Sequence, residues 1–451
     1  MKPESLLGIS LDLIQRLALP GSYPADARVG RFFRERRYLG SRDRRFVSQT
    51  AYAWLRHGIR ARALWRPWAT SGSLDLPPDD TLRQLEADVA RRGDGDRGDP
   101  GRNADDAQVD VPPEPRELVL RCAYLLDVLS LGRDGVLPWS MEETLAAAHR
   151  LTAPEDSLVA NLTQRLAAES FAPSPTTPDD PVERLALECS LPSWIAARLI
   201  RRHGEPEARE LGRSLLESAS VDLRVNTRRR ARDEVRKTLE REIRQRVEPT
   251  TFSPVGLRLE GRVNLTATTA SRESWIEVQD EGSQVVVWST EPRAGMVVID
   301  ACAGNGGKTL AFADVLYGSG GEKVAGGRRS RGRLIACDIA PEKLAELERR
   351  AGDAGLAERI DIVLLEPSGP VSALPPADLV FVDAPCTGLG TLRRNPELKR
   401  RHREEDASRF AELQLSILER FAPLVKEGGR LAYATCSFLP EECEDVADAF
   451  E

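Results

Sequence analysis

Met296-Val297-Val298-Ile299-Asp300-Ala301-Cys302-Ala303-Gly304-Asn305-Gly306-Gly307-Lys308-Thr309 reads as a short buried strand, an acid at its end, and a glycine-rich loop that opens a helix. The same grammar repeats downstream. Leu334-Ile335-Ala336-Cys337-Asp338 is a second apolar run ending in an acid, 360–365 a third, Leu379-Val380-Phe381-Val382-Asp383 a fourth, and Arg430-Leu431-Ala432-Tyr433-Ala434-Thr435 a fifth. Helical patterns separate them, notably 406–424, with Gly428-Gly429 read as the mark of that helix's end. Continuous apolar strands alternating with helices predict an α/β fold with a doubly wound, mostly parallel sheet. Such sheets bind ligands beyond the C-terminal ends of their strands. Asp300, Asp338, Asp383 and Cys436 all fall at or just after such ends.

The loop after the first strand is not a phosphate P-loop, because the first glycine of that motif would have to stand at Cys302. The dinucleotide fingerprint is also broken, since Gly304-x-Gly306-x-x ends on Thr309. What remains is a loop whose backbone can approach a ligand closely. Asp338 is suited to accept from the ribose hydroxyls of an adenosine-type cofactor. Asp383-Ala384-Pro385-Cys386-Thr387-Gly388 sets an acid and a thiol three residues apart, and Thr435-Cys436-Ser437 supplies a second thiol after the fifth strand. The fourth and fifth strands of such sheets are usually neighbours, so both thiols can face one crevice. A soft nucleophile and an acid beside a cofactor suit conjugate addition to an electron-poor ring. The competing reading is that a free cysteine is a small buried hydrophobe, and it is preferred for Cys122, Cys189 and Cys337. Zinc is disfavoured: there is no CxxC, and the four histidines are scattered, so no metal is expected.

The 451 residues imply more than one domain. Residues 1–155 read as helical, with a flexible Gly/Asp/Arg/Pro insertion at 91–115. A linker follows at 156–180, then a small α/β accessory region at 181–272, then the sheet domain at 273–451. A second Gly/Arg-rich insertion occupies 318–333. The net charge is −7, yet the stretch from Arg28 to Arg66 holds twelve arginines against Glu35 and Asp43 and so carries +10. Clustered arginine inside an acidic chain is what a local phosphate-binding surface needs. Seven irregularly spaced cysteines, no signal-peptide pattern and no apolar run long enough for a membrane span predict a cytoplasmic protein.

The stretches 300–309, 383–388 with Gly390-Thr391-Leu392-Arg393-Arg394-Asn395-Pro396, and Thr435-Cys436-Ser437-Phe438-Leu439-Pro440-Glu441-Glu442 resemble the motifs of the RsmB/Sun/NSUN family of S-adenosylmethionine-dependent RNA cytosine-5 methyltransferases. Leu223-Arg224-Val225-Asn226-Thr227 resembles that family's accessory RNA-binding region, and the segment around Arg42 and Arg44 the NusB-like helical domain of its RsmB branch. The resemblance implies a class I, Rossmann-like methyltransferase domain. It implies Cys436 as the nucleophile that adds to carbon 6 of cytosine, Cys386 as the group that assists product release, and Asp383 as a hydrogen-bond partner of the base. Cys302, Ala303, Gly304, Asn305, Gly306, Gly307, Lys308, Asp338 and Asp383 would hold S-adenosylmethionine. Glu366 stands near where the family carries an acid for the adenine. Arg42, Arg44, Arg224, Asn226, Arg393 and Arg394 would contact RNA, with ribosomal favoured over transfer RNA. The family continues past the Thr-Cys-Ser motif with a helix and two strands, so an end at Glu451 implies a sheet lacking its last strands. An alternative is a non-catalytic RNA-binding or ribosome-assembly protein. A DNA cytosine methyltransferase is disfavoured by the second thiol and the basic N-terminus.

Overall fold

A computed structural model describes residues 1–18, 24–70, 113–133, a few positions between 135 and 148, 178–261, 263–318 and 332–451. Most of the expected insertion at 91–115, most of the linker at 156–180 and most of the insertion at 318–333 lie outside the described residues. The chain divides into two units. One comprises Met1–Ser218 and Thr391–Glu404, the other Ala219–Gly390 and Glu405–Glu451.

The first unit is helical. Its longer described helices are α1 (Pro3–Ala18), α2 (Ala25–Glu35), α3 (Ser41–Thr70), α4 (Pro113–Arg133), α5 (Pro181–Glu188), α6 (Ser193–His203) and α7 (Glu205–Leu216). Leu7, Leu11 and Ile14 of α1 recur at three- and four-residue spacing and bury against Val47, Ala51, Trp54 and Leu55 of α3 and Tyr124 of α4. A carboxylate is built into this core. Asp127, fully buried, accepts from Trp54 Nε1 at 2.9 Å, Trp65 Nε1 at 2.7 Å and Arg62 at 2.8 Å. A buried carboxylate is tolerated because donors surround it. The segment Thr391–Glu404 packs in the same unit. Glu397 accepts from the Ala25 amide at 3.0 Å, Arg198 pairs with Glu404 at 2.6 Å, and Arg400 lies over the Trp54 ring at 4.3 Å. The ammonium group of Lys399, buried, donates to the Arg56 carbonyl. Desolvation, with Arg400 and Arg56 adding to it, lowers the Lys399 pKa to about 7.

The second unit holds two sheets. The smaller is antiparallel, in the order β2 (Val247–Pro249), β3 (Gly256–Leu259), β1 (Val221–Val225), β4 (Ile276–Val278). Val235 and Leu239 of α8 (Arg232–Ile243) cover its apolar face at Leu223, Val225 and Leu257. The larger sheet is the expected doubly wound one. Five parallel strands stand in the order β7 (Ile360–Leu364), β6 (Arg333–Asp338), β5 (Val297–Asp300), β8 (Ala377–Asp383), β9 (Val425–Ala434). Strand residues alternate between two cores. Val298, Leu334, Leu379 and Phe381 pack under α9 (Glu281–Ser289), α10 (Gly307–Leu316) and α11 (Pro341–Asp353). Ile299, Ile335, Val380 and Val382 pack under α12 (Glu404–Phe421) and α13 (Glu444–Phe450).

Gly428-Gly429 does not end a helix, contrary to the sequence reading. The helix stops at Phe421, and the glycines lie inside β9, where the pairing with β8 shifts register between Ala377 and Leu379. Gly428 has φ +74°, and a Cβ on Gly429 would meet the Lys426 carbonyl at 2.9 Å, so the bulge needs glycine at both places.

Candidate active site

The strand order places the crevice. The chain runs outward from β5 through β6 to β7, then returns to β8 and β9 on the other side of β5. The C-terminal ends of β5 and β8 therefore flank the switch point, where the sheet leaves a gap for a ligand.

The loop after β5 is held by its neighbours. The Ala301 amide donates to the Phe381 carbonyl of β8 at 2.8 Å, and the Ala303 amide to the Cys337 carbonyl of β6 at 2.8 Å. Gly304 and Gly306 have φ of +52° and +84°. A Cβ on Gly304 would face open space, whereas one on Gly306 would collide with Leu347. The Gly304 backbone can thus be approached from outside, and Gly306 is needed for packing on α11. Asp338, at the end of β6, accepts from the Gly304 amide at 2.8 Å with Oδ2 and from the Ala340 amide at 2.9 Å with Oδ1. Its orientation is set, and each oxygen keeps a further lone pair. Asn305 is exposed, and its carbonyl accepts from Arg350. Glu366 lies exposed beyond β7, where its carbonyl accepts from Arg420 at 2.9 Å.

Beneath the loop, Asp300 is buried. Thr309 Oγ1 donates to its Oδ2 at 2.6 Å, while Oδ1 has no hydrogen-bond partner. Burial raises the carboxyl to about pH 7, with the Asp383 charge adding and Thr309 opposing. Cys302 is pushed up by the same desolvation and by the surrounding carboxylates. This thiol is a poor nucleophile and serves as packing in the loop.

Lys308 Nζ reaches Asp383 Oδ2 at 2.6 Å, so the first turn of α10 is joined to the end of β8. Beside this pair stand the two thiols. Ala384 donates to the Ala434 carbonyl at 2.9 Å and extends the β8–β9 ladder to where both loops begin. Cys386 Sγ and Cys436 Sγ are 3.3 Å apart, hydrogen-bonded with no disulfide between them, and Cys436 is exposed. The Gly390 amide donates to the Cys436 carbonyl at 2.9 Å; a Cβ there would sit 2.8 Å from that oxygen. The pair shares a proton unequally. The hydrogen bond from Cys386 lowers the pKa of Cys436, and Lys308 favours the same thiolate, while burial and Asp383 oppose it. Cys386 is raised, because giving up its proton forfeits that bond. Of the two thiols, Cys436 is the one whose pKa is lowered.

The structure thus brings Asp383, Lys308, Cys386 and Cys436 together, with the loop and Asp338 alongside. Two of the residues that the resemblance implies as RNA contacts, Arg224 and Asn226, have partners elsewhere within the second unit. Arg224 is buried in the second unit, where its guanidinium pairs with Asp314 and donates from Nε to Gln279 at 2.9 Å. Asn226 is buried and donates to the Ser274 carbonyl at 3.4 Å. Arg42, Arg44, Arg393 and Arg394 belong to the helical unit. Arg42 is exposed, Arg44 binds the Leu39 carbonyl at 2.8 Å, and Arg393 pairs with Glu217 at 3.3 Å. Among the described residues no His/Cys/Asp/Glu group has a metal-holding arrangement, and no helix is long and apolar enough to cross a membrane.

The sequence reading assigned no role to Gln414, Tyr433 or Glu442. All three form a polar cluster behind the thiols. The only signal was the position of Glu442 in the Thr-Cys-Ser stretch.

Residues 287–450 match the family described as 16S rRNA methyltransferase RsmB/F, and 191–266 the RsmF/B-like ferredoxin-like domain. A probable ribosomal RNA small subunit methyltransferase B of Bacillus subtilis (strain 168) is 31% identical over 276 residues, which are 60% of this chain and 58% of that protein. A probable enzyme of the same name from Synechocystis sp. is 33% identical over 274 residues, 59% of this chain and 58% of its own. The chain thus spans less than three fifths of the length of these curated relatives. Among solved structures, that of PH0851 superposes with a TM-score of 0.68 at 23% identity, covering 100% of this chain and 89% of the other, a likeness of fold.

Proposed function

Because the chain belongs to the RsmB/F methyltransferase family, we propose that it methylates carbon 5 of a cytosine in RNA, with ribosomal RNA as the substrate class. S-adenosylmethionine, when bound, supplies a methyl group on a positively charged sulfur. The residues fit that group: the Gly304 backbone is open to approach, and Asp338 is anchored by two amides with acceptor capacity left for ribose hydroxyls.

The observation that carries the reading is the pair of sulfurs 3.3 Å apart beside the Lys308–Asp383 bridge. In the proposed mechanism Cys436 thiolate adds to carbon 6 of the base, forming the carbon–sulfur bond and moving the ring's electron pair toward carbon 5. Asp383 would hydrogen-bond the base near its ring nitrogen and neutralise charge developing in the adduct. Carbon 5 takes the methyl group; loss of its proton to a base then lets the electron pair expel Cys436 as thiolate. Cys386, held protonated by its bond to Cys436, is the group that attends this release. A base in a duplex must leave the stack to reach the thiol. Arg42, Arg44, Arg393 and Arg394 are proposed contacts for the RNA backbone.

The test is methyl transfer from labelled cofactor to RNA. Cys436→Ala should abolish it, whereas Cys386→Ala should accumulate an enzyme–RNA adduct that survives denaturing electrophoresis. Equal activity in the two variants would overturn the assignment.

A further inference from the structure

We propose that Glu442 is a positioning residue that sets the separation of Cys386 and Cys436 by gripping the residue next to each. The inference rests on the reading of these two thiols as the working pair. Glu442 is fully buried at the end of the 3-10 turn Pro440–Glu442. Its Oε1 accepts from the Thr387 amide at 2.8 Å and from Gln414 Nε2 at 3.1 Å. Its Oε2 accepts from Thr387 Oγ1 at 2.5 Å and from Ser437 Oγ at 2.5 Å. Thr387 follows Cys386, and Ser437 follows Cys436. One side chain therefore holds both thiol-bearing loops without touching either sulfur.

The donor set suits a carboxylate, which only accepts and has about four sites to fill. The anchor is itself anchored. Gln414 Nε2, on α12, also donates to the Pro385 carbonyl at 2.9 Å, the residue before Cys386. Tyr433, on β9, places its hydroxyl 3.0 Å from Gln414 Oε1 and 2.7 Å from the Glu442 carbonyl. The Cys386 loop is thus fixed on both sides of its sulfur. A sulfur hydrogen bond at 3.3 Å has little slack, so a shift of about 1 Å in either loop removes it. That bond is what favours the Cys436 thiolate. The other charged groups facing Cys436 are Asp383 and Lys308, bound to each other and not to Glu442.

The experiment measures iodoacetamide alkylation of Cys436 against pH in the full chain, read by mass spectrometry, with circular dichroism to verify folding. Glu442→Ala should slow alkylation at pH 7 by roughly tenfold, the effect of a thiol midpoint raised by about one unit. Glu442→Gln should give a smaller shift, because its carbonyl can keep the amide donors while its NH2 turns to the two hydroxyls. In a Cys386→Ala background, where the sulfur hydrogen bond is already gone, Glu442→Ala should add no further slowing. Loss of a nearby negative charge would by itself speed the reaction, so the direction separates positioning from simple electrostatics. An unchanged profile in folded Glu442→Ala would overturn the proposal. If that variant fails to fold, an unchanged profile in Glu442→Gln would do so, as would equal slowing with and without Cys386. A shifted profile in a protein that transfers no methyl group would sustain Glu442's role and refute the proposed function instead.

Discussion

Replacing Asp300 by asparagine tests the energetics at the centre of the site. Asp300 is buried at the end of β5, with one oxygen bonded to Thr309 and the other without a partner. Its carboxyl keeps a proton to about pH 7 in the folded chain, against an ordinary value of 3.8. As pH rises above 4 the unfolded chain gives up this proton and the folded chain does not. Stability is therefore present at low pH and falls until the folded group also ionises near pH 7. The slope is about 1.4 kcal/mol per pH unit, so the wild type should lose about 3 kcal/mol between pH 5 and pH 8 from this residue. Asparagine is neutral throughout and close in shape. Urea unfolding of the full chain at pH 5, 6, 7 and 8, following the transition of the sheet-containing unit, gives the difference between variant and wild type. That difference should move in favour of Asp300→Asn by about 3 kcal/mol across the range. A constant difference would refute the claim that Asp300 is buried as a neutral acid.

Arg224→Met leaves Asp314 buried without its main partner and should destabilise the second unit by about 3 kcal/mol in urea titration. The double variant with Asp314→Leu should recover most of that loss. Gly306→Ala forces a side chain into Leu347 at φ +84°. It should cost about 2 kcal/mol of stability and weaken S-adenosylmethionine binding by calorimetry, because the loop must shift.

What was legible in the sequence follows from what is local. β5, β6 and β8 are largely apolar runs that close on Asp300, Asp338 and Asp383, so their ends can be read without their neighbours. Cys386 and Cys436 were predicted to share a crevice because β8 and β9 are adjacent, and the structure sets them 3.3 Å apart. Non-local partners were not legible. Arg224 is implied as an RNA contact by the resemblance alone, and its buried pairing with Asp314, ninety positions on, cannot be read from its neighbours in sequence. Glu442 has no role in the sequence reading, because its partners come from two loops and α12. Gly428-Gly429 carries a helix-stop signal, and only the strand register tells it from a bulge.

The path of the chain between the two units limits how the protein can be divided. It crosses at Ser218–Ala219, returns at Gly390–Thr391 and leaves again at Glu404–Glu405. A single cut at the first crossing frees neither half, since the excursion remains stitched in. A fragment beginning at Ala219 would carry Lys399 with no Arg56 carbonyl to receive its ammonium group and no Trp54 beneath Arg400. Such a fragment would expose a sticky basic flap whose behaviour in RNA-binding assays would say little about the intact chain.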